Sequence, residues 1–357
     1  MRRRTFLAAA GTAAAASTFP APAIGQGIRE LKLVCSFPMF PALQLLARTI
    51  TELSGGRLKV TAFGADELVG SFEVFDAVSE GVADMYWSTE YYWQDRSPAF
   101  PFFTTVPFGL TPAETVAWIH YGGGQELWDE LGANFNLKPL PAGSSGVQMG
   151  GWFGKEMISI EDFKGLRYRI PGLGGEVLRR LGAIVINLPP LEIVPALKSG
   201  ALDAAEWVGP NDDLQLGLHT AAKYYYYPGF HEPGTTNSLS INKKLWESLT
   251  SEDRVMIETV VASSYTYVRA ETHVNRIKAL PTLLEEHGVQ LRKFDDGILR
   301  AFGKASGEVV AEIGTGDPFT RRVYESYMKF REASRKWTNI SVRAYLNARE
   351  LDFPYGN

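Results

Sequence analysis

Apolar positions along this chain switch repeatedly between strand-like runs and helical spacing, and the alternation predicts the architecture. Residues 31–36 form a short apolar run of strand type. Residues 42–54 carry apolar side chains at helical spacing and stop at Gly55-Gly56, and residues 58–63 are strand-like again. Residues 72–80 read as a helix, Gly81 as its cap and residues 83–88 as the next strand. A second run of the same kind begins near Gly146. It predicts strands over 147–153, 166–170, 183–188 and 204–208, with helices over 175–181 and 192–199. A strand over 239–242, a long helix over 246–269, a late strand over 289–294 and a charged helical C-terminus complete the pattern. Short strands alternating with helices imply an α/β fold with parallel sheets covered on both faces.

The two runs echo each other. Ala77-Val78-Ser79-Glu80-Gly81-Val82-Ala83-Asp84 and Ala196-Leu197-Lys198-Ser199-Gly200-Ala201-Leu202-Asp203 share the form Ala-apolar-x-x-Gly-x-x-Asp, each a helix end, a glycine cap and a strand start. Two similar lobes are one source of such a match, and the turn chemistry common to all βαβ units is the other. With two lobes, residues 87–90 and 206–208 end their strands facing each other across a cleft, because open α/β sheets bind ligands beyond the carboxyl ends of their strands.

Composition changes the picture at the N-terminus. Arg3-Arg4-Thr5-Phe6-Leu7, an alanine-rich apolar stretch and small residues up to Gly25 read as a twin-arginine export signal over residues 1–25, too short for a membrane span. The 357-residue chain has a formal net charge of −4, and loss of that segment makes it more acidic. Such a protein has no electrostatic reason to bind nucleic acid or anionic lipid. Cys35 is the only cysteine, which excludes an internal disulfide and places a small apolar side chain in a strand.

Candidate chemistry sits where polar residues interrupt apolar runs. Arg167 and Arg169 share one face of a short strand, and Arg169 ends it just before Pro171-Gly172, well placed to grip a carboxylate through two parallel N–H bonds; a structural ion pair is the plainer alternative. Glu206 stands in the apolar segment 204–208, where burial requires a cation, a donor or its own proton. Gln148 on an apolar strand and Glu232 in the loop Phe230-His231-Glu232-Pro233 are single polar groups of the same kind, and two carboxylates with amide or carbonyl oxygens suit a hard cation such as Ca²⁺. Of the aromatic clusters 86–87, 91–93 and 224–227, most read as core, while Tyr91 and Tyr92 lie past a strand end, within reach of a ligand. Neither nucleotide-binding fingerprint is present, nor a Gly-x-Ser-x-Gly elbow, and the five histidines are scattered, so nothing motivates an enzyme.

Taken together, Lys164-Gly165-Leu166-Arg167-Tyr168-Arg169-Ile170-Pro171 and Gly200-Ala201-Leu202-Asp203-Ala204-Ala205-Glu206 resemble the marks of DctP-type extracytoplasmic solute receptors of tripartite ATP-independent periplasmic (TRAP) transporters. The resemblance implies a two-lobed periplasmic solute-binding protein fold with a cleft between the lobes and long C-terminal helices. Residues 26–146 and 239–280 would form one lobe, 147–238 and 281–316 the other, and 317–357 a helical segment. Residues 205–212 with 229–233 are most similar to the α-keto acid subgroup. That likeness implies a 2-oxo or 2-hydroxy monocarboxylate held by Arg169, Asn211, Tyr91, Tyr92 and Gln148. Na⁺ or Ca²⁺ would bridge it to Gln148, Glu206, the backbone carbonyl of Trp207, and Glu232. The TRAP membrane permease subunits are the implied partners, and helix 319–349 would either exchange between subunits of a homodimer or pack on its own lobe. The rival readings are a C4-dicarboxylate receptor, which needs a second basic group in the cleft, and a secreted hydrolase using Glu206 and Glu232 as acid and base.

Overall fold

The computed structural model describes residues 27–355, so the export segment expected at the N-terminus lies outside the described residues. Two sheets organise the chain. The first has the order β2 (Leu58–Phe63), β1 (Arg29–Cys35), β3 (Met85–Ser88), β10 (Thr235–Asn242), β4 (Leu137–Gly146). The second has the order β11 (Gln290–Lys293), β9 (Tyr224–Tyr227), β5 (Gly151–Phe153), β8 (Ala204–Ala205), β6 (Arg167–Arg169), β7 (Ile184–Ile186).

The sheets are mixed rather than parallel. β1 pairs in parallel with β2 and β3, while β10 runs antiparallel to both β3 and β4, and β5 antiparallel to β8 and β9. The reversals fall where the chain passes from one sheet to the other, from β4 into β5 and from β9 into β10. A strand that arrives from the other lobe need not come through a crossover helix, which is what enforces parallel pairing elsewhere.

The repeated glycine caps do what their pattern requires. Gly81 and Gly200 adopt φ of 84° and 73°, a left-handed turn that costs a side-chain-bearing residue more, and each is followed by a strand, β3 and β8, that ends at the space between the lobes.

The expected helix over 246–269 is two helices. Lys243–Ser248 ends at Leu249, and Ser251–Pro281 starts afresh because the Thr250 hydroxyl accepts from the Asp253 N–H at 3.1 Å. This second helix packs on β4 of the first lobe and on helix Pro210–Leu216 of the second, so it bridges both and is called the hinge helix below. Its buried Ile257, Val260 and Val261 join Leu33, Leu239 and Trp87 in the first lobe's core. Cys35, at the end of β1, is wholly buried there, and burial pushes its thiol up to about 12. The second lobe stacks Trp152 on Tyr225 at 4.1 Å above Ile193 and Leu283. The Tyr224–Tyr227 cluster is thus strand β9 rather than a ligand wall.

Helix Pro318–Ile340 lies against the first lobe through buried Val323 and Tyr327, whose ring meets Trp118 at 5.2 Å. Helix Val342–Arg349 buries no residue at all. No helix among the described residues is long and apolar enough to cross a membrane.

Candidate functional site

The ends of β3 and β8 carry the residues that close on each other. After β3 come Thr89, Tyr91 and Tyr92; after β8 come Glu206 and Trp207. Phe37 of the first lobe meets the Trp207 ring edge-on at 5.9 Å, and the Tyr92 hydroxyl accepts from Arg169 Nη2 at 3.4 Å. Between them lies a cleft of about 540 Å³ lined by Tyr91, Tyr92, Gln148, Trp207 and Asn211, all five of which the sequence had singled out.

Two of the expected placements differ in detail. Gln148 is not on a strand. It sits in the segment that crosses between the sheets, its N–H donating to the Glu232 carbonyl at 3.1 Å. β8 stops at Ala205, so Glu206 lies at the start of the loop that leads into helix Pro210–Leu216. Asp213 fixes that loop: one carboxylate oxygen accepts from the N–H groups of Val208 and Gly209, both at 3.0 Å, and the other from Trp152 Nε1 at 2.8 Å and the Tyr225 hydroxyl at 2.6 Å. Two donors from the loop and two from the second sheet meet on this one carboxylate and tie the loop to the sheet.

Arg167 and Arg169 take separate partners. Arg167 makes a two-pronged pair with Asp203 near the surface, at 2.9 and 2.6 Å. Arg169 is buried to 1 % exposure. Its Nη1 donates to the Glu206 carboxylate at 2.6 Å and to the Glu206 carbonyl at 2.9 Å, and its Nε to the Leu188 carbonyl at 3.2 Å. The guanidinium also lies 5.6 Å from the centre of the Trp207 ring. Half the fork is therefore committed to the protein. Glu206 is the reason, because its buried charge takes the nearest cation. Nη2, beside the Tyr92 hydroxyl, is the nitrogen of the fork left for a ligand.

The other Glu206 oxygen meets His231 Nε2 at 3.0 Å. Burial pulls the His231 imidazolium down, but the hydrogen bond to Glu206 and the charges of Glu206 and Glu232 outweigh it, and its pKa stands above that of free imidazole. Nothing in the sequence marked His231 except its place beside Glu232.

Glu232 is the unfinished member. Its Oε2 accepts from Gln148 Nε2 at 2.7 Å and from the Thr235 hydroxyl. Its Oε1 is buried with no hydrogen-bond partner, and so is Gln148 Oε1. Burial, then the nearby Glu206 charge, pushes the Glu232 carboxyl up to about 7. The same two carboxylates, after burial itself, help hold the Tyr91 hydroxyl well above its ordinary value, which puts Tyr91 alongside them. Glu206, His231 and Glu232 offer ligand atoms within 4.8 Å of one another. Two orphaned oxygens beside that cluster fit a hard, oxygen-seeking cation and give a soft metal little to bind. Asn211 lines the same cleft and accepts from Gln215 at 3.3 Å.

Comparison with known proteins assigns the chain to a family. Residues 35–317 match the model of the DctP family, bacterial extracellular solute-binding protein family 7. The chain is 40% identical over 312 residues, 87% of its length and 85% of the other's, to a monocarboxylate 2-oxoacid-binding periplasmic protein of Nostoc sp.. Two solved TRAP solute-binding proteins superpose closely. One, from Pseudoalteromonas atlantica with bound sodium and pyruvate, gives a TM-score of 0.87 at 35% identity, covering 91% of this chain and 100% of that one. The other, from Bordetella bronchiseptica, is a dimer with calcium and picolinate that copurified with it. It gives 0.88 at 32% identity, covering 90% and 97%. The chain belongs to the DctP family of solute-binding proteins, and its two-lobed α/β fold is the fold of those receptors.

Proposed function

We propose that this chain captures a small 2-oxo or 2-hydroxy monocarboxylate in the periplasm and delivers it to the membrane subunits of a TRAP transporter. The observation that carries the reading is the pair of buried, unpartnered oxygens, Glu232 Oε1 and Gln148 Oε1, next to Glu206 and Arg169. Gln148, Glu206, Glu232 and the backbone carbonyl of Trp207 would hold Na⁺ or Ca²⁺. The ion supplies open positions for a carboxylate and its neighbouring oxygen, a pair that 2-oxo and 2-hydroxy acids present and fatty acids do not. Arg169 Nη2, Tyr91, Tyr92 and Asn211 would orient the ligand. The relatives' pyruvate, sodium and calcium support the assignment.

Receptor rather than enzyme is the family's character. A C4 dicarboxylate would need a second cation in the cleft, and among the described residues that line it the charged ones are Asp212, 3.8 Å from Arg276, and Glu271. Arg3-Arg4 would send the folded protein through the twin-arginine route. Trp337, Ile340 and Tyr345, exposed along the C-terminal helices, suit a dimer; truncation after Lys336 should then leave a monomer in sedimentation velocity.

Thermal melting against 2-oxo acids, 2-hydroxy acids and C4 dicarboxylates, with and without chelator and with Na⁺ varied, tests the function. A ligand that binds only the native state raises the melting point. A shift with monocarboxylates that chelator or Na⁺ removal abolishes is expected. A shift with dicarboxylates alone would overturn the substrate class, and no shift with any compound would overturn the receptor reading.

A further inference from the structure

Two of the residues that would hold the cation, Gln148 and Trp207, sit on backbone segments that run past one side chain of the hinge helix. Arg276 Nη1 donates to the carbonyl of Val147, the residue before Gln148, at 2.9 Å. The same guanidinium lies against Gly209, just beyond Trp207 and Val208. A Cβ built on Gly209 would fall 2.6 Å from Arg276 Nε, 2.7 Å from Cζ and 2.9 Å from Nη2. Gly209 has a φ of 179°, extended backbone that any residue adopts, so the arginine and not the dihedral excludes a side chain there. The two segments also hold each other, because the Met149 N–H donates to the Val208 carbonyl at 3.3 Å. Arg276 thus lies across the junction where the crossing segment meets the loop after β8.

An ion pair would explain Arg276 more simply, but it is not completed. Asp212 stands 3.8 Å from Nη2, beyond hydrogen-bond reach. Asp212 Oδ2, Arg276 Nε and Arg276 Nη2 are all buried without a hydrogen-bond partner. The side chain is only 14 % exposed, and its one hydrogen bond goes to Val147. Arg276 does not line the cleft, so a ligand held there does not meet it.

We propose that Arg276 is a positioning residue for the cation. By pinning the Val147 carbonyl and the backbone at Gly209, it sets the spacing between the Gln148 amide and the Trp207 carbonyl. This role rests on the cation-bridged 2-oxo acid reading and extends it from the residues that would hold the ion to the hinge helix behind them. Groups that orient metal ligands without touching the metal are typically worth about ten- to hundredfold in metal affinity. Charge alone predicts the opposite sign, since loss of a positive group favours a nearby cation. Positioning and electrostatics are therefore separated by the direction of the change.

Calorimetric titration with pyruvate at stepped Ca²⁺, and separately at stepped Na⁺, gives the apparent affinity for the cation in the mature protein and its variants. Arg276→Ala should need about tenfold more cation for half-maximal pyruvate binding, and in excess cation its pyruvate affinity should return to the parent's. Gly209→Ala displaces the guanidinium without removing a charge or a polar group, and should shift the cation requirement the same way. The double variant should lose no more than about twofold beyond Arg276→Ala, because both substitutions undo one contact. In the cation-free protein, hydrogen exchange at Met149 and Gly209 should quicken in Arg276→Ala, a readout that needs no ion. A cation affinity unchanged or raised in Arg276→Ala would overturn the role and leave the 2-oxo acid function standing. So would losses that add in full in the double variant, or pyruvate affinity that stays low in excess cation. A parent that binds no pyruvate with either ion would instead remove the function, and this role with it.

Discussion

Two buried carboxylates, one in the core of the first lobe and one in the cluster with Glu206 and His231 beside Gln148, are treated in opposite ways. Glu90 accepts from Tyr86 at 3.0 Å, Ser240 at 2.7 Å and Trp128 Nε1 at 2.5 Å, so both its oxygens are engaged. Glu232, equally buried, keeps Oε1 without a partner, as does its neighbour Gln148. Burial raises the pKa of both acids. Burial and a perturbed pKa therefore do not distinguish scaffold from site. What separates these two acids is coordination: Glu90 has donors on both oxygens, while Glu232 has an unpartnered oxygen next to a second one on Gln148 and beside Glu206 and His231.

Substitutions can test that distinction. Arg169→Ala should have the largest effect, since it strips the buried Glu206 of its cation. A stability loss of about 3–5 kcal/mol is expected from denaturant unfolding, together with an affinity loss of roughly a hundredfold or more in calorimetry. Unchanged affinity would remove Arg169 from the site. Glu90→Ala comes next. It orphans three donors, which should cost about 3 kcal/mol of stability, while the molecules that remain folded bind ligand as the parent does. Weakened binding there would erase the contrast between the two acids. Glu232→Gln is expected to do the converse. Ligand and cation affinity should fall by about 1.5–3 kcal/mol, or roughly ten- to hundredfold, with stability of the cation-free protein unchanged or higher because an incompletely paired acid has gone.

A last test concerns pH and a third acid. Asp213 has four donors, yet burial pushes its carboxyl up to about 7, from an ordinary value of about 3.9. Its neutral form is favoured in the fold, so the stability it lends is complete below about pH 4 and is lost as pH rises toward about 7, at up to about 1.4 kcal/mol per pH unit. Unfolding of Asp213→Asn across that window should show a flatter profile than the parent. An identical profile would assign the dependence to other groups.

The chemistry of the site was more legible than parts of the frame around it. Arg169, Gln148, Glu206 and Glu232 stood out because each is a polar group in an apolar stretch, and the structure gathers them. His231 did not, since a lone histidine gives no pattern, and its significance comes only from Glu206 at 3.0 Å. β4 was missed altogether. No element was predicted there, and Pro139, Pro141, Gly143 and Ser144 favour a strand poorly, yet the segment is a ten-residue strand. It pairs with β10 through shifted registers that absorb its irregular backbone, and the hinge helix packs on it. Tertiary pairing outweighed local propensity there. The crossing segment after β4 was read as strand for the opposite reason: Val147 to Phe153 is apolar enough, but only Gly151–Phe153 finds partners.

The buried thiol at the end of β1 has a use beyond packing. With Cys35 fully enclosed and its pKa near 12, the folded chain presents no nucleophilic sulfur to a labelling reagent. Leu45 on the first lobe and Ile184 on the second are both solvent-exposed. Cysteines introduced at those two positions would be the only ones to accept dyes, and energy transfer between the dyes would follow the approach of the lobes, one molecule at a time, without any native residue of the cleft being altered.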